Sequence, residues 1–374
     1  MSHNVSIGIV GLPNVGKSTL FQALTKKQVD CSNYPFATIN PNIGVVEVSD
    51  QRVDVLAQLT GSVKKIYETI EFVDIAGLVK GAHQGEGLGN QFLSHIRETA
   101  AIVYVLRGFK NSDIINTRNV VDPVGEKEIL DTELILKDLE TVRKRIESVS
   151  GEARSGKKEA QKEAEMLLKI KAVLEKGEIL AETESPESLA KARDFQYPRG
   201  KDFSEEENQV LKNYQLLSLK PRLYLLNAKA EEAQEVKEVF QKNNWPFLTI
   251  DILEELEAAG FSKEERQSLG LPSSSGLDLL IKQAYSLLNL ITFLTMVSQQ
   301  VQAWQIKTGT KLVRAAGTIH TDFETHFVRA EVINWQDLIK AGSFAKAREN
   351  GLIRTEGKDY IVQDGDVIEI KHTP

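Results

Sequence analysis

Gly11, Gly16, Lys17 and Ser18 stand in the order G-x-x-x-x-G-K-S within the stretch GIVGLPNVGKSTLF, residues 8–21. That spacing serves the binding of a nucleoside triphosphate. Glycines let backbone N–H groups wrap the phosphates, the lysine reaches the β- and γ-phosphates, and the serine hydroxyl ligates Mg²⁺. Asn14, Val15, Gly16, Lys17, Ser18 and Thr19 are the expected phosphate-binding residues, with Lys17 also expected to act in catalysis. Two further segments supply partners. FVDIAG carries Asp74-x-x-Gly77, in which the carboxylate can hold Mg²⁺ through water and the Gly77 N–H can meet the γ-phosphate. Between the two motifs lies NYPFATINPN, where Thr38 is placed to be another Mg²⁺ ligand. The expected metal ligands are therefore Ser18, Thr38 and Asp74.

These residues need a scaffold that brings a strand end, a helix start and two loops together. VSIGIVG reads as a buried strand, GKSTLFQALTKK as a helix, and IGVVEV, TIEFVDIAG and AIVYVLRGF as further strands. Such alternation implies an α/β fold, a doubly wound, mainly parallel sheet covered by helices. The pattern breaks over residues 131–220, which are charged and free of strand signals. There Ile135, Leu139, Val142, Ile146 and Val149 form a heptad seam, and Met166, Ile170 and Val173 begin a second after the polar turn SGEARSGKK. An inserted antiparallel helical hairpin is expected. The sheet resumes at PRLYLLNAK and WPFLTIDIL, and a helix SGLDLLIKQAYSLLNL leads to a separate C-terminal α+β module. Within that module TKLVRAAGTIH, HFVRAEVI and DYIVQDGDVIEI read as short strands, with Asp364-Gly365 as a turn.

The formal charge of −7 argues against a protein that coats nucleic acid by bulk electrostatics, while leaving room for a local basic face. The single cysteine, Cys31, cannot form an internal disulfide. No signal-peptide pattern precedes the first strand, and the longest apolar run, YSLLNLITFLTMV, is too short and too polar to span a bilayer. A cytoplasmic protein without membrane or DNA partners is expected. His320 and His326 have no cysteine or further histidine at ligand spacing, so no metal site is read there.

GLPNVGKST, NYPFATINPN, FVDIAGLVKGAHQGEGLGNQFLSHIRE and AAGTIHTDFETHFVRAEVI, followed by EGKDYIVQDGDV, resemble the Obg-like ATPases of the YchF family, in the family's order and over essentially the whole chain. The resemblance implies a P-loop NTPase domain over residues 1–130 and 221–285, a coiled-coil insertion over 131–220, and a TGS domain of β-grasp fold over 288–374. It further implies a Mg²⁺-dependent ATPase that prefers ATP to GTP and binds the ribosome, through the 50S subunit or the 70S particle.

In GTPases of this superfamily an N-K-x-D signature reads guanine, the aspartate accepting from the ring N–H and the exocyclic amine. Here Asn227 is present, but Ala228 replaces the lysine and Ala230 the aspartate. Without that acceptor guanine's two donors would be left unpaired. The family's N-x-x-E is not matched either, since the first acidic residue is Glu231, one position late. The base is therefore read through a shifted loop, or by Asn227 and backbone groups near Ala228. Leu78 stands where a water-orienting glutamine often follows the D-x-x-G glycine, so intrinsic hydrolysis is expected to be slow. The following loop offers His83, Gln84 and Glu86, and His83 is the candidate catalytic group, the alternative being a solvated loop histidine. Asn14 either helps bind K⁺, as in some related NTPases lacking the glutamine, or braces its own loop. Two other readings stay open: a GTPase of the Obg type, and a nucleotide-gated ribosome- or RNA-binding protein with negligible turnover.

Overall fold

Ser6–Val10, an apolar run with no polar face, forms strand β1 at the centre of the first sheet, flanked by β4 (Glu68–Asp74) and β5 (Ala101–Arg107), both parallel to it. The computed structural model describes residues 5–26, 42–75, 88–111, 120–181 and 203–373. Parallel strands β6 (Arg222–Asn227) and β7 (Phe247–Ile250) extend the sheet beyond β5, and β2 (Ile43–Val48) closes the other edge antiparallel to β4, giving the order β2-β4-β1-β5-β6-β7. Strands β5 and β6 are buried along their whole length, as central parallel strands covered on both faces must be. Helix α1 (Lys17–Thr25) follows β1 through the glycine loop, and α3 (Leu88–Glu98) leads into β5. The strand order places the ends of β1 and β4 side by side, with Ile9 opposite Asp74, so the motif residues converge at one edge.

The helical hairpin is built from α4 (Pro123–Arg154) and α5 (Lys158–Glu175), joined by a tight turn in which Gly156 takes φ 88°. Ile135, Leu139 and Val142 pack against Met166, Leu167, Ile170 and Leu174. Residue 131, where the sequence suggests that the insertion starts, lies inside α4. The helix begins at Pro123, whose missing N–H costs nothing at a first turn, and Asp122 caps it by accepting from Gly125 N at 2.9 Å. Its first turns belong to the sheet domain, where Leu130 and Leu134 join the main core. Buried Asp131 accepts from Lys127 Nζ at 2.7 Å, Arg222 Nη1 at 2.7 Å and Tyr104 Oη at 3.1 Å, fixing α4 to β5 and β6. Two turns on, buried Asp138 accepts from Leu217 N at 2.8 Å and from Ser218 N and Oγ at 2.7 and 2.6 Å, which binds the chain returning from the hairpin.

A second sheet, ordered β11-β10-β12-β8-β9-β3, contains β8 (Leu290–Val297), β9 (Gln300–Lys307), β10 (Phe327–Asn334), β11 (Arg354–Glu356) and β12 (Asp366–His372). Its last strand, β3 (Lys64–Ile66), comes from far upstream, pairing parallel with β9. Helix α2 (Gln51–Thr60) likewise buries Val53, Leu56 and Ala57 in the core of this second unit. Residues 51–66 are thus part of the C-terminal unit's packing, although the sequence reading assigns 1–130 to the nucleotide domain. Only Tyr67 separates β3 from β4, so one stretch of chain serves both sheets. Glu68 accepts from Gln305 N at 3.0 Å and Arg52 pairs with Asp364 at 2.7 Å across the same seam. A correction concerns TKLVRAAGTIH: Leu312–Ile319 is a helix, with Leu312, Ala315 and Ala316 buried on one face. Apolar residues at that spacing, lacking a β-branched run, fit a helical period. Among the described residues no helix is long and apolar enough to cross a membrane.

Candidate nucleotide-binding site

The loop between β1 and α1 is shaped by two left-handed residues, Asn14 at φ 62° and Gly16 at φ 107°. A side chain at position 16 would be strained by that φ, and its Cβ would also lie 2.5 Å from Asn227 Nδ2. The glycine is therefore required both by the turn and by a neighbour. Asn227, at the end of β6, donates from Nδ2 to Val15 O at 3.0 Å and accepts at Oδ1 from Ile252 N at 3.2 Å. It thus pins the phosphate loop to the start of the helix Ile252–Glu257. An amide oxygen keeps a second lone pair, which leaves Oδ1 one acceptor position for a ligand.

Lys17 opens α1 and is 8% exposed, with Nζ donating to Leu12 O at 2.8 Å across its own loop. Burial pulls its pKa below the usual lysine value, while the negative charges of Asp74 and Glu126 push the other way. Burial also raises the Asp74 carboxyl above the ordinary range, against the opposing pull of Lys17. A buried lysine and a half-buried carboxylate with weakened solvation gain most from phosphate and a divalent cation, which replace the missing water. Ser18 is exposed and Thr19 half-buried in the first turn of α1, and Val15 is buried beneath the loop. The helix N-terminus behind them favours an anion.

One residue of the site escapes a reading by motif. Glu126, in the first turn of α4, is buried and accepts from Arg107 N at 2.9 Å, closing the end of β5. It brings a second negative charge to Lys17 from the base of the hairpin. The sequence signal is modest, an Asp-Pro helix start followed by an acidic first turn. Ala228 is also more constrained than its motif position suggests. Its N–H donates to Ile250 O at 3.2 Å, and a Cβ built on Gly108 would stand 2.8 Å from its side chain. That N–H is not free to read a base. Ala230 and Glu231 are exposed on the turn beyond it. Thr38, Gly77, Leu78, His83, Gln84 and Glu86 lie outside the described residues. Among the described residues no group of three or more His, Cys, Asp or Glu could hold a metal by itself. Ser18 and Asp74 offer a hydroxyl and a carboxylate, a set that suits Mg²⁺, which takes few protein oxygens and completes its shell with phosphate and water.

Comparison with known proteins follows the same division. A family model described as a 50S ribosome-binding GTPase matches residues 6–145, and a C-terminal YchF GTPase model, described as a protein of unknown function, matches residues 290–373. The Ribosome-binding ATPase YchF of Bacillus subtilis (strain 168) is 43% identical over 380 residues, covering 98% of this chain and 99% of the relative. That of Escherichia coli O157:H7 is 42% identical over 371 residues, covering 96% and 97%. The solved structure of the Schizosaccharomyces pombe YchF GTPase aligns with a TM-score of 0.83 at 33% identity, covering 99% of this chain and 98% of that one. With identity at this level along nearly its whole length, and with a solved relative superposing over 99% of it, the chain belongs to the YchF family.

Proposed function

We propose that this chain is a cytoplasmic, Mg²⁺-dependent ATPase that works as a ribosome-associated switch. The observation that carries the reading is the convergence of Lys17, Ser18 and Asp74 at the ends of β1 and β4, around a loop that Gly16 and Asn227 hold in shape. Lys17 and the amides that open α1 would hold the phosphates, and Ser18 and Asp74, with Thr38, would hold Mg²⁺. The cation supplies neutralisation of charge across the β- and γ-phosphates. Names among the relatives differ on the base: the bacterial ones say ATPase, the yeast one GTPase. This chain's own residues favour ATP. No carboxylate stands at position 230 to pair guanine's donors, whereas the spare lone pair of Asn227 Oδ1 can accept from adenine's exocyclic amine. Turnover is slow because Leu78 cannot orient water; His83 takes that role, or K⁺ held with Asn14 would supply charge in the place of an arginine finger.

The test is a titration with ATP and GTP followed by single-turnover hydrolysis, with and without ribosomes and in K⁺ or Na⁺. Tighter ATP binding and turnover raised by ribosomes or K⁺ support the proposal. Equal or tighter GTP binding refutes the base assignment, and hydrolysis indifferent to both additions refutes the switch. Lys17→Ala is expected to abolish nucleotide binding without unfolding the chain, and binding at wild-type strength would remove the loop from the mechanism.

A further inference from the structure

Strands β2 and β4 form a two-stranded ribbon whose two ends serve different parts of the molecule. They pair along the whole of β2, from Ile43 opposite Val73 to Val48 opposite Glu68. At the first end Asp74 N donates to Asn42 O at 2.9 Å. That bond ties the candidate cation carboxylate to the chain four residues after Thr38. At the second end the connection does not fold straight back, as a hairpin would. It runs through α2 and β3 in the C-terminal unit before Tyr67 returns it to β4.

This excursion is fastened throughout. Lys64, Lys65 and Ile66 stand opposite Gln300, Val301 and Gln302 of β9. Tyr67 Oη and Lys65 Nζ donate to Asp54 Oδ1 at 2.6 and 2.7 Å, which locks β3 to α2. Asp50 caps α2 and accepts from Arg52 Nη2 at 2.7 Å, while Arg52 Nη1 donates to Asp364 at 2.7 Å. Asp364 in turn accepts from Thr292 N of β8 at 2.9 Å. Glu68 closes the set by accepting from Gln305 N of β9 at 3.0 Å. The ribbon is therefore held by β8, β9 and the turn before β12 at the end opposite Asp74. On its other side β4 pairs with β1, with Asp74 opposite Ile9, and β1 leads into the phosphate loop. A shift of the ribbon against β1 would move Asp74 relative to Lys17 and Ser18. Strands bonded and packed in this way shift as a unit rather than deform locally.

We propose that Glu68 is a positioning residue for the Mg²⁺ site: through the β2–β4 ribbon the C-terminal unit sets the place of Asp74, and a cation at Asp74 tightens the hold on β9 in return. The inference rests on the Mg²⁺ reading of Asp74 given above. Coupling between two sites is reciprocal in binding free energy. Whatever displaces β9 therefore changes the affinity for Mg²⁺-nucleotide, and Mg²⁺-nucleotide changes the C-terminal unit.

The first measurement needs no variant. Amide hydrogen exchange over Lys64–Ile66 and Gln300–Lys307 is followed in the full chain with the non-hydrolysable analogue AMPPNP, in EDTA and in Mg²⁺. Slower exchange in Mg²⁺ is expected. The second is a titration of AMPPNP under both conditions, read as the gain in affinity that Mg²⁺ brings. Glu68→Ala, which takes the acceptor from Gln305 N, is expected to lose about fivefold of that gain while its affinity in EDTA stays at the wild-type value. A merely structural role would lower both affinities together. Glu68→Gln keeps an acceptor and is expected to restore the gain. Asp364→Ala, at an exposed side chain, removes the other tie and is expected to act in the same direction, so the test survives if Glu68→Ala does not fold. Exchange indifferent to Mg²⁺ overturns the proposal, as does a wild-type gain in Glu68→Ala or, failing that protein, in Asp364→Ala. Both results leave the cation reading of Asp74 standing. If Mg²⁺ brings the wild-type chain no gain, the cation reading itself fails and the proposal falls with it.

Discussion

Asn227→Ala separates bracing of the phosphate loop from reading of the base. The change removes two hydrogen bonds, one from Nδ2 to Val15 O at 3.0 Å and one from Ile252 N to Oδ1 at 3.2 Å, at a residue only 8% exposed. Each buried group left without its partner costs about 1–3 kcal/mol. Val15 O borders the ligand site, where water can partly replace the lost donor, so a total of roughly 3 kcal/mol is expected rather than the maximum. The loss divides between the fold and the loop. If about half appears as loop disorder, affinity for both ATP and GTP falls by roughly tenfold, since every 1.4 kcal/mol is a factor of ten, and ATP loses in addition the bond its exocyclic amine makes to Oδ1. A residue that only reads the base would change the ATP:GTP ratio and leave the unfolding midpoint alone. The assay pairs isothermal titration with both nucleotides and urea unfolding followed by the fluorescence of Trp245, which packs against Phe240 with ring centroids 5.1 Å apart. Wild-type affinity together with a wild-type midpoint would refute the bracing argument. Asn227→Asp adds a sharper arm: it retains an acceptor for Ile252 N but opposes an oxygen to Val15 O, and is expected to bind nucleotide more weakly than the alanine variant.

Further outcomes follow from the same geometry. Ala228→Lys with Ala230→Asp is expected to shift preference toward GTP by at least tenfold in competition titrations; an unchanged ratio would show that the base is read elsewhere. Glu68, whose carboxyl is pushed up to about 7 mainly by burial, gives the seam between the two sheets a pH dependence. Since the raised value belongs to the folded state, its contribution is full below the ordinary carboxyl value of 4.5 and is lost as pH rises through about 7. Glu68→Gln is therefore expected to melt higher than wild type at pH 8, by up to about 2–3 kcal/mol, and to differ little at pH 5; equal melting at pH 8 would refute this. Asp131→Ala strips the anion from buried Arg222 and Lys127, and a loss of about 3–5 kcal/mol in urea unfolding is expected, with less than 1 kcal/mol counting against the role assigned to it.

The phosphate loop was legible because its spacing is a local rule: a glycine turn between a buried strand and a helix leaves few alternatives. The hairpin was legible for a similar reason, as the seam of Ile135, Leu139 and Val142 repeats with a helical period. What sequence could not show is long-range. Nothing in the pattern of Lys64–Ile66 says that it pairs with β9, since three residues carry no usable periodicity. The start of α4 was hidden because its buried face is partly charged. Glu126, Lys127 and Asp131 are buried by pairing across elements distant in sequence, and charge in a sequence reads as exposure. Leu312–Ile319 is ambiguous in sequence because RAAGT offers both weak strand and weak helix signals, and its packing on the C-terminal core settles the matter. Sequence marks Asn227 as a base reader; its further tie to Val15 needs the fold to bring β6 beside the loop.

The unbroken course of α4 has a mechanical consequence. At about 1.5 Å per residue its 32 residues reach roughly 48 Å, of which about 24 Å projects beyond the Asp138 clamp. A rod held at one end multiplies angle into travel: a tilt of about 10° at the clamp sweeps the far turn through about 4 Å, more than the width of a hydrogen bond. Glu126 sits at the held end, next to the charge on which phosphates act, and Ser155–Lys157 at the moving end. Leverage of this sort needs no hinge in the middle. It needs a fixed base, which Asp131 and Asp138 supply, and stiffness, which the packing of Leu139 and Val142 on α5 supplies, so a glycine pair introduced near residue 140 would weaken the coupling of the two ends.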